Sequence, residues 1–187
     1  MRSTRLLFKG VSEIVGSTEL GVILLTDEDE LRQISIVCDK AMVLQIEMRL
    51  SHKDATATLL PEVLCRMISR IADMGMRIVI TGVDDGQYRT VLCNRLEWVP
   101  PIAMRASDAV LLSIVAGVPI YINEELMARQ SVPYRKNSRG VALPVNTISD
   151  EMLRSALDKA IDEENYELAS RLRDEMLRRG KGKPGGD

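Results

Sequence analysis

The stretch that decides the fold is "SDAVLLSIVAGVPIYI" at residues 107–122. Ser107 belongs to the residue types that favour a helix N-cap, and Gly117 to those that end helices. The segment between them is apolar nearly all round, which predicts a helix buried on most of its sides. "VPIYI" (118–122) then predicts a short strand. We therefore expect this stretch to lie at the centre of a body that contains both helices and strands.

The residues before this stretch predict strands that are separated by short polar turns. "DEDE" (27–30) is expected to be a solvated turn, and "DDG" (84–86) is typical of a β-hairpin. Two consecutive prolines, Pro100 and Pro101, favour an edge position or a kink for the last strand of this set. The predicted strands are 5–15, 21–27, 31–38, 76–83, 87–94 and 96–105.

Three further helices are predicted from their end signals. Asp39 is expected to cap a helix that runs to residue 50, and Asn123 a helix that runs to residue 130. Pro61 fits the first turn of a helix that Gly75 would end. The order of these elements predicts an α+β fold, in which a compact mixed-sheet body with packed helices is followed by a C-terminal antiparallel helical hairpin.

Composition limits the classes of function. The chain has 187 residues and a formal net charge of −2, so no overall positive field attracts nucleic acid. No segment reaches the roughly 18 apolar residues of a membrane span, and the first residues lack the apolar run of a signal peptide. The three cysteines are widely spaced, without a CxxC pair, which favours a reducing, cytoplasmic setting.

The composition shifts over residues 131–148, where prolines, a glycine and basic residues predict a linker before a helical hairpin. Apolar residues repeat at helical spacing over 153–161 and again over 168–176, with the polar turn "DEENYE" between them. Two helices of this length bury too little apolar surface to be stable alone. We therefore expect the hairpin to pack on the body, a second copy or a partner. The predicted organisation is a body at 1–130, a linker at 131–148, the hairpin at 149–179 and a disordered tail at 180–187.

The hairpin sequence "LDKAIDEENYELASRLRDEM" (157–176) resembles the UVR motif, the helical hairpin of bacterial excision-repair proteins. In that family the hairpin is a protein–protein docking element, so the resemblance implies a protein partner or self-association. A generic antiparallel helix pair is the structural alternative. The docking residues that the resemblance implies are Leu157, Ala160, Ile161, Tyr166, Ala169, Leu172 and Arg173.

The body sequence "MRASDAVLLSIVAGVPIYI" (104–122) resembles the C-terminal signature of the bifunctional nuclease domain family. The order of the upstream elements extends this resemblance over about residues 5–130. The resemblance implies a compact α+β fold. It also implies a protein that is often oligomeric and that cleaves both RNA and DNA. The matching residues are Arg105, Ser107, Asp108, Ala109, Gly117, Pro119, Ile120 and Tyr121.

The chain departs from the family pattern at the starts of two helices. Lys40 and Met42 stand where the family usually has an acidic residue and a glutamine. Where the family usually carries Thr-His-Asp, this chain has "LPE" at residues 60–62, so only the acid, Glu62, remains. These replacements favour an alternative function: a catalytically degenerate regulatory or interaction module that keeps the fold.

Four side chains are predicted to act in catalysis. Arg105 would hold a phosphate, Ser107 would open the helix whose first N–H groups face that phosphate, and Asp108 would act as a base or as a ligand for Mg²⁺ or Mn²⁺. Glu62 would supply a second carboxylate. The structural alternative is that Arg105 pairs with Asp108 and that both acids only favour helix N-termini.

Two other polar groups are weaker candidates for a site. His52 is the single histidine, which excludes a histidine-rich metal centre. The basic residues Arg135, Lys136 and Arg139 would contact phosphate or form a solvated linker. The sequence thus predicts a bacterial, cytoplasmic, homo-oligomeric nuclease for DNA or RNA. A third alternative is an assembly scaffold whose hairpin pairs with its own copy, so that deleting 149–187 halves the mass in solution.

Overall fold

The structure is a computed structural model. It describes residues 2–14, 20–51, 53–68, 74–84, 86–94 and 100–134, together with thirteen positions between 154 and 177. The strands are β1 (Ser3–Glu13), β2 (Leu20–Asp27), β3 (Arg32–Asp39), β4 (Met76–Asp84), β5 (Gln87–Asn94), β6 (Ile102–Arg105), β7 (Ile120–Asn123) and β8 (Val132–Pro133). The helices are α1 (Lys40–Ser51), α2 (Leu60–Met67), α3 (Ala106–Ala116) and α4 (Glu124–Gln130), with a 3₁₀ turn at Lys53–Thr56.

The described strands form one mixed sheet in the order β6-β5-β4-β7-β1-β2-β3-β8. All neighbouring strands are antiparallel except β4 and β7, which are parallel. A parallel pair needs a crossover connection, and here β5, β6 and α3 supply it. The predicted α+β body with a mixed sheet is confirmed.

The core lies between the sheet and the helices α1 and α3. Its fully buried members are aliphatic, such as Ile23, Ile46, Ile78 and Val110. Helix α1 approaches β2 very closely at Gly21, where a Cβ atom would lie 2.1 Å from Cγ2 of Val43. A glycine is therefore required at this position for the helix to pack on the sheet.

The sheet curls strongly, so that its two ends approach each other. Asp39 ends β3 and Arg105 ends β6, and five strands lie between them in the hydrogen-bonded order. Nevertheless, Nη1 of Arg105 is 3.7 Å from Oδ2 of Asp39. The curl thus brings together residues from opposite ends of the sheet.

Most of the predicted helix and turn signals are confirmed. Asp39 accepts a hydrogen bond from the Met42 N–H at 2.7 Å, and Asn123 accepts one from the Glu125 N–H at 2.8 Å. Gly117 takes the left-handed conformation (φ 70°) after α3. Strands β4 and β5 form the predicted hairpin, and the strand after the two prolines is the edge strand β6.

Two predicted helix boundaries are wrong. The N-cap of α3 is Arg105 rather than Ser107, because the backbone stays extended (φ −65°, ψ 143°) only as far as Arg105. Helix α2 ends at Met67, earlier than the predicted stop at Gly75. Residues 69–73 lie outside the described residues. Gly75 itself has a positive φ of 70° and leads into β4.

The predicted linker begins with ordered structure. Val132 and Pro133 form β8, which pairs with the start of β3, and the Tyr134 N–H donates to the Leu31 carbonyl at 2.9 Å. The rest of the linker, with the predicted basic cluster at 135–139, lies outside the described residues. The positions described between 154 and 177 are helical, and the antiparallel hairpin arrangement stays a prediction.

An ion-pair network joins the β2–β3 turn to α4. Asp27 is buried, and its carboxylate accepts hydrogen bonds from the backbone N–H groups of Leu31 and Arg32 and from the Arg32 side chain. Arg32 also donates to Glu124, and the Thr4 hydroxyl donates to the other Glu124 oxygen. The first acid of the predicted solvated turn "DEDE" is therefore a structural group inside the protein.

This network makes stability fall in acid. Burial alone would raise the pKa of Asp27, but the hydrogen bonds from Arg32 and Leu31 lower it below its ordinary value. The hydrogen bonds from Thr4 and Arg32 likewise lower the pKa of Glu124. Because both folded pKa values lie below the unfolded ones, near 4, the stabilisation is complete above about pH 5 and is lost as the pH falls through the folded values.

We expect Asp27→Asn to lower the free energy of unfolding at pH 7 by about 1.5–3 kcal/mol, the range for hydrogen bonds to a charged group. The variant should also lose less stability than the parent between pH 5 and pH 3. Urea unfolding at several pH values measures both effects. Asp29→Asn, an exposed position in the same turn, is the control. An unchanged acid dependence in Asp27→Asn would contradict this assignment.

Candidate functional site

The sheet ends bring three charged side chains together at the start of α3. Arg105 donates to Asp108 through Nε (2.6 Å to Oδ2) and Nη2 (3.1 Å to Oδ1), while its Nη1 faces Asp39. These three residues are called the Arg105 cluster below. All three side chains are at least one-third exposed, so the cluster is open to a ligand from solution.

Local sequence explains the close pairing of Arg105 and Asp108. Arg105 is the last residue of β6 and the N-cap of α3, and Asp108 lies three residues later in the first helical turn. That spacing places the carboxylate beside the guanidinium, and the helix N-terminus favours its negative charge. The hydrogen bond to Asp108 raises the pKa of Arg105, which therefore stays charged at physiological pH. The ion pair that the sequence offers as the structural alternative for these two residues is present.

Asp39 joins this cluster from the opposite end of the sheet. One of its oxygens caps α1 through the Met42 N–H, and the other faces Arg105. The sequence predicts Asp39 only as a helix cap. No local pattern predicts its contact with Arg105, because this contact depends on the curl of the sheet and not on local spacing.

Ser107 and Glu62 are placed differently from the cluster. Ser107 lies in the first turn of α3 and is only 7% exposed, so little of this residue is open to a ligand at the surface. Glu62 lies on α2, where Nε of Arg49 is 2.8 Å from one of its oxygens and Nη2 donates to the other at 2.9 Å. Among the described residues, the Arg49–Glu62 ion pair thus joins α2 to α1 and does not extend the Arg105 cluster.

The cluster does not form a ready site for a divalent cation. Both Asp108 oxygens accept hydrogen bonds from Arg105, and the two aspartates flank a guanidinium. Mg²⁺ or Mn²⁺ would therefore have to displace Arg105. Within the part of the chain that the structure describes, no three His, Cys, Asp or Glu side chains converge on one point. His52 lies outside the described residues.

A second arginine lies beside the cluster. The β5–β6 register places Arg89 directly opposite Arg105, and Arg89 is exposed. Its guanidinium lies over Gly82, where a Cβ atom would be 3.0 Å from Nη2. Like charges directly opposite each other are unfavourable in a sheet. Because β4 and β6 flank β5 on opposite sides, the Arg89 guanidinium is turned towards Gly82 and away from Arg105, and it does not join the cluster. No local pattern in the sequence predicts this register.

The described hairpin residues include both buried and exposed apolar groups. Ala160 and Ala169 are buried, whereas Ile161 and Tyr166 are exposed, Tyr166 by 69%. Leu157 is half-buried and Arg173 is exposed, while Leu172 lies outside the described residues. An exposed aromatic ring next to exposed aliphatic groups is the kind of surface that protein partners use.

Comparison with known protein families gives two matches. Residues 23–135, more than half of the chain, match the family model of the bifunctional nuclease domain. The chain therefore belongs to the bifunctional nuclease domain family. Residues 151–178 match the UvrB/uvrC motif. Both resemblances predicted from the sequence are confirmed. A comparison with curated proteins found no match.

Among the described helices, none combines the length and the apolar character that crossing a bilayer requires.

Proposed function

We propose that this protein hydrolyses phosphodiester bonds of DNA or RNA at the Arg105 cluster, and that its UVR hairpin docks it to a protein partner or to a second copy. The observation that carries the proposal is the exposed bidentate pair of Arg105 and Asp108 within a bifunctional nuclease domain. A guanidinium that fits a carboxylate through two parallel hydrogen bonds also fits two oxygens of a phosphate.

The chemistry follows from exchange of these two anions. A substrate phosphate takes the two N–H groups of Arg105 and releases the Asp108 carboxylate. Asp108 then accepts a proton from a water molecule while the water oxygen forms a bond to phosphorus. The bond from phosphorus to the leaving sugar oxygen breaks, and that oxygen takes a proton from solvent. Arg105 stabilises the charge that builds up on the phosphate oxygens.

A divalent cation is the remaining part of the proposal. If Mg²⁺ or Mn²⁺ takes part, it would be held by Asp108 and Asp39 after Arg105 has moved to the phosphate, and it would supply further positive charge to the substrate. Activity assays with Mg²⁺, with Mn²⁺ and with EDTA decide whether the cation is required.

The direct test is cleavage of end-labelled single-stranded RNA and DNA by the purified protein and by two Arg105 variants. We expect Arg105→Gln to lower the rate by about 10²-fold or more, because the main phosphate ligand is lost. Arg105→Lys should retain part of the activity, since it keeps the charge but not the bidentate geometry. Equal rates in all three proteins would place the activity elsewhere or in a contaminant.

The alternative is a regulatory or interaction module that keeps the fold without the activity. Two observations favour it: Arg49 holds Glu62, and Met42, which replaces a family glutamine, is buried in the core. A folded protein that binds nucleic acid or a partner but cleaves neither RNA nor DNA under any of these conditions would support this alternative.

The proposed setting is the bacterial cytoplasm. Cys38, Cys65 and Cys93 are free thiols, as a reducing compartment allows. Burial raises the pKa of Cys38 to about 11, so this thiol stays protonated and unreactive.

A further inference from the structure

The sheet has a second face, on the side away from the core, that is open to solvent over β6, β5, β4 and β7. Side chains alternate between the two faces of a strand, and Ile78, Ile80 and Ile120 point into the core. The residues between them therefore lie on the second face, and none of its described positions on these four strands is buried. The outer face is defined here as Arg5, Arg77, Val79, Arg89, Val91, Ala103, Arg105 and Tyr121.

The strand register makes the outer face one continuous surface. A single cross-strand row of direct partners runs over five neighbouring strands, in the order Arg5, Tyr121, Val79, Val91 and Ala103. At about 4.8 Å between strands, this row spans about 19 Å. Two residues further along the strands, Arg89 and Arg105 lie opposite each other on one side of the row. Arg77 lies two residues from Val79 on the other side.

The outer face is basic, although the chain as a whole has a formal net charge of −2. Four of its eight residues are arginines, and all four are exposed. The acids that the structure describes around this face lie at its margins: Glu28 beside Arg5, Asp39 and Asp108 beside Arg105, and Asp84 at the end of β4. Positive charge is thus concentrated on one side of the sheet, where it attracts a polyanion.

We infer that the outer face binds single-stranded nucleic acid, with the phosphates on the arginines and the bases on the row of residues between them. This inference rests on the proposed function, because it assigns the surface that holds the strand whose scissile phosphate lies at Arg105. Arginine contacts to phosphate supply most of the affinity of a surface that does not read sequence.

The residues between the arginines favour a single strand over a duplex. Val79, Val91 and Ala103 are uncharged, and the half-buried Tyr121 lies within the same row. Unpaired bases stack on aromatic side chains, whereas a duplex keeps its bases stacked inside. A face that combines guanidinium groups with apolar and aromatic side chains therefore suits a chain that carries both phosphates and open bases.

Arg89 connects the outer face with the Arg105 cluster. It lies directly opposite Arg105, and its guanidinium extends over Gly82 on β4. The register of β4 and β5 shifts at this point, between Ile80 and Gly82, and such bulges are common beside functional sites. Because its guanidinium points away from Arg105, Arg89 would hold a neighbouring phosphate of the strand and not the scissile one.

The test is fluorescence anisotropy of the full chain with a labelled phosphorothioate oligonucleotide, as a single strand and as the duplex of the same sequence. Arg77→Gln combined with Arg89→Gln should weaken single-strand binding by about 10-fold or more. The slope of log Kd against log salt should also fall by about 1.4, since two phosphate contacts are lost. Arg105 is unchanged in this variant, so the measurement does not depend on the proposed chemistry.

The matched control is Arg66→Gln with Arg129→Gln, which removes the same charge from exposed positions on α2 and α4. It should bind with the affinity and salt slope of the parent. Circular dichroism establishes that the variants are folded. If the Arg77 and Arg89 pair is not, Arg77→Gln alone replaces it, with an expected fall in slope of about 0.7.

Three results would overturn the inference. The first is a parent that does not bind the single strand, or that binds the duplex as tightly. The second is an outer-face variant that binds like the control. The third is binding of a polyglutamate peptide in preference to the oligonucleotide through the same arginines, which would assign the face to an acidic protein. A parent whose cleavage depends on Arg105 while the outer-face variant binds normally would leave the proposed function standing, so the two failures are distinguishable.

Discussion

Asp108→Asn is expected to lower kcat/KM for nucleic-acid cleavage by about 10²–10⁴-fold, the usual contribution of a general base. Asparagine has the same shape as aspartate but cannot accept the proton of the attacking water. Binding should change in the opposite direction. Because the neutral amide no longer competes for Arg105, the affinity for the nucleic acid should rise by a few-fold.

A lower cleavage rate together with a higher affinity would distinguish a catalytic role of Asp108 from a purely structural one. Fluorescence anisotropy with an uncleavable oligonucleotide measures affinity, and the cleavage assay measures rate. Glu125→Gln is the matched control, since Glu125 is also an exposed acid in the first turn of a helix. If Asp108→Asn cleaved at the parental rate, Asp108 would serve only as the partner of Arg105 and the stabiliser of α3.

Glu62→Ala is expected to lower the free energy of unfolding by about 3–5 kcal/mol, the cost of leaving a buried charge without its partner. Arg49 is the charge left behind. Glu62→Gln keeps a hydrogen-bond acceptor and should cost less. The double variant Arg49→Met with Glu62→Ala should recover much of the loss, because it removes both charges. Urea unfolding of the four proteins measures these differences.

The same variants test whether Glu62 takes part in the chemistry. We expect folded Glu62→Gln to cleave at nearly the parental rate, since the Glu62 carboxylate pairs with Arg49. A stable Glu62→Gln protein without activity would instead show that Glu62 takes part in catalysis. A Glu62→Ala protein as stable as the parent would contradict the role of the ion pair.

The elements of the fold could be predicted because their signals are local. The cap at Asn123, the left-handed Gly117 and the Asp-Gly turn each depend on a few neighbouring residues. The predicted cap at Ser107 lies two residues after the observed cap at Arg105, since the sequence alone does not show where β6 stops being extended. The prediction that Asp27 is exposed was wrong for another reason. An acidic tetrapeptide indicates solvent exposure, and only the tertiary structure brings Arg32 to Asp27 and Glu124 to Arg32.

The site was predicted only in part for the same physical reason. Arg105 and Asp108 are neighbours on one helix turn, so their pairing follows from spacing. Asp39 reaches Arg105 through the curl of the sheet, which no local pattern specifies.

The curled sheet also has a consequence for the order of folding. Asp39 and Arg105 meet only when the strands between them have all paired, so this contact is among the last to form and carries a large loop-closure cost. The edge strand β6 is short and pairs on one side only, which makes it a natural place for partial opening. Fraying of β6 separates Arg105 from Asp39 while the core under α1 stays intact, so the cluster is complete only in molecules whose sheet has fully closed.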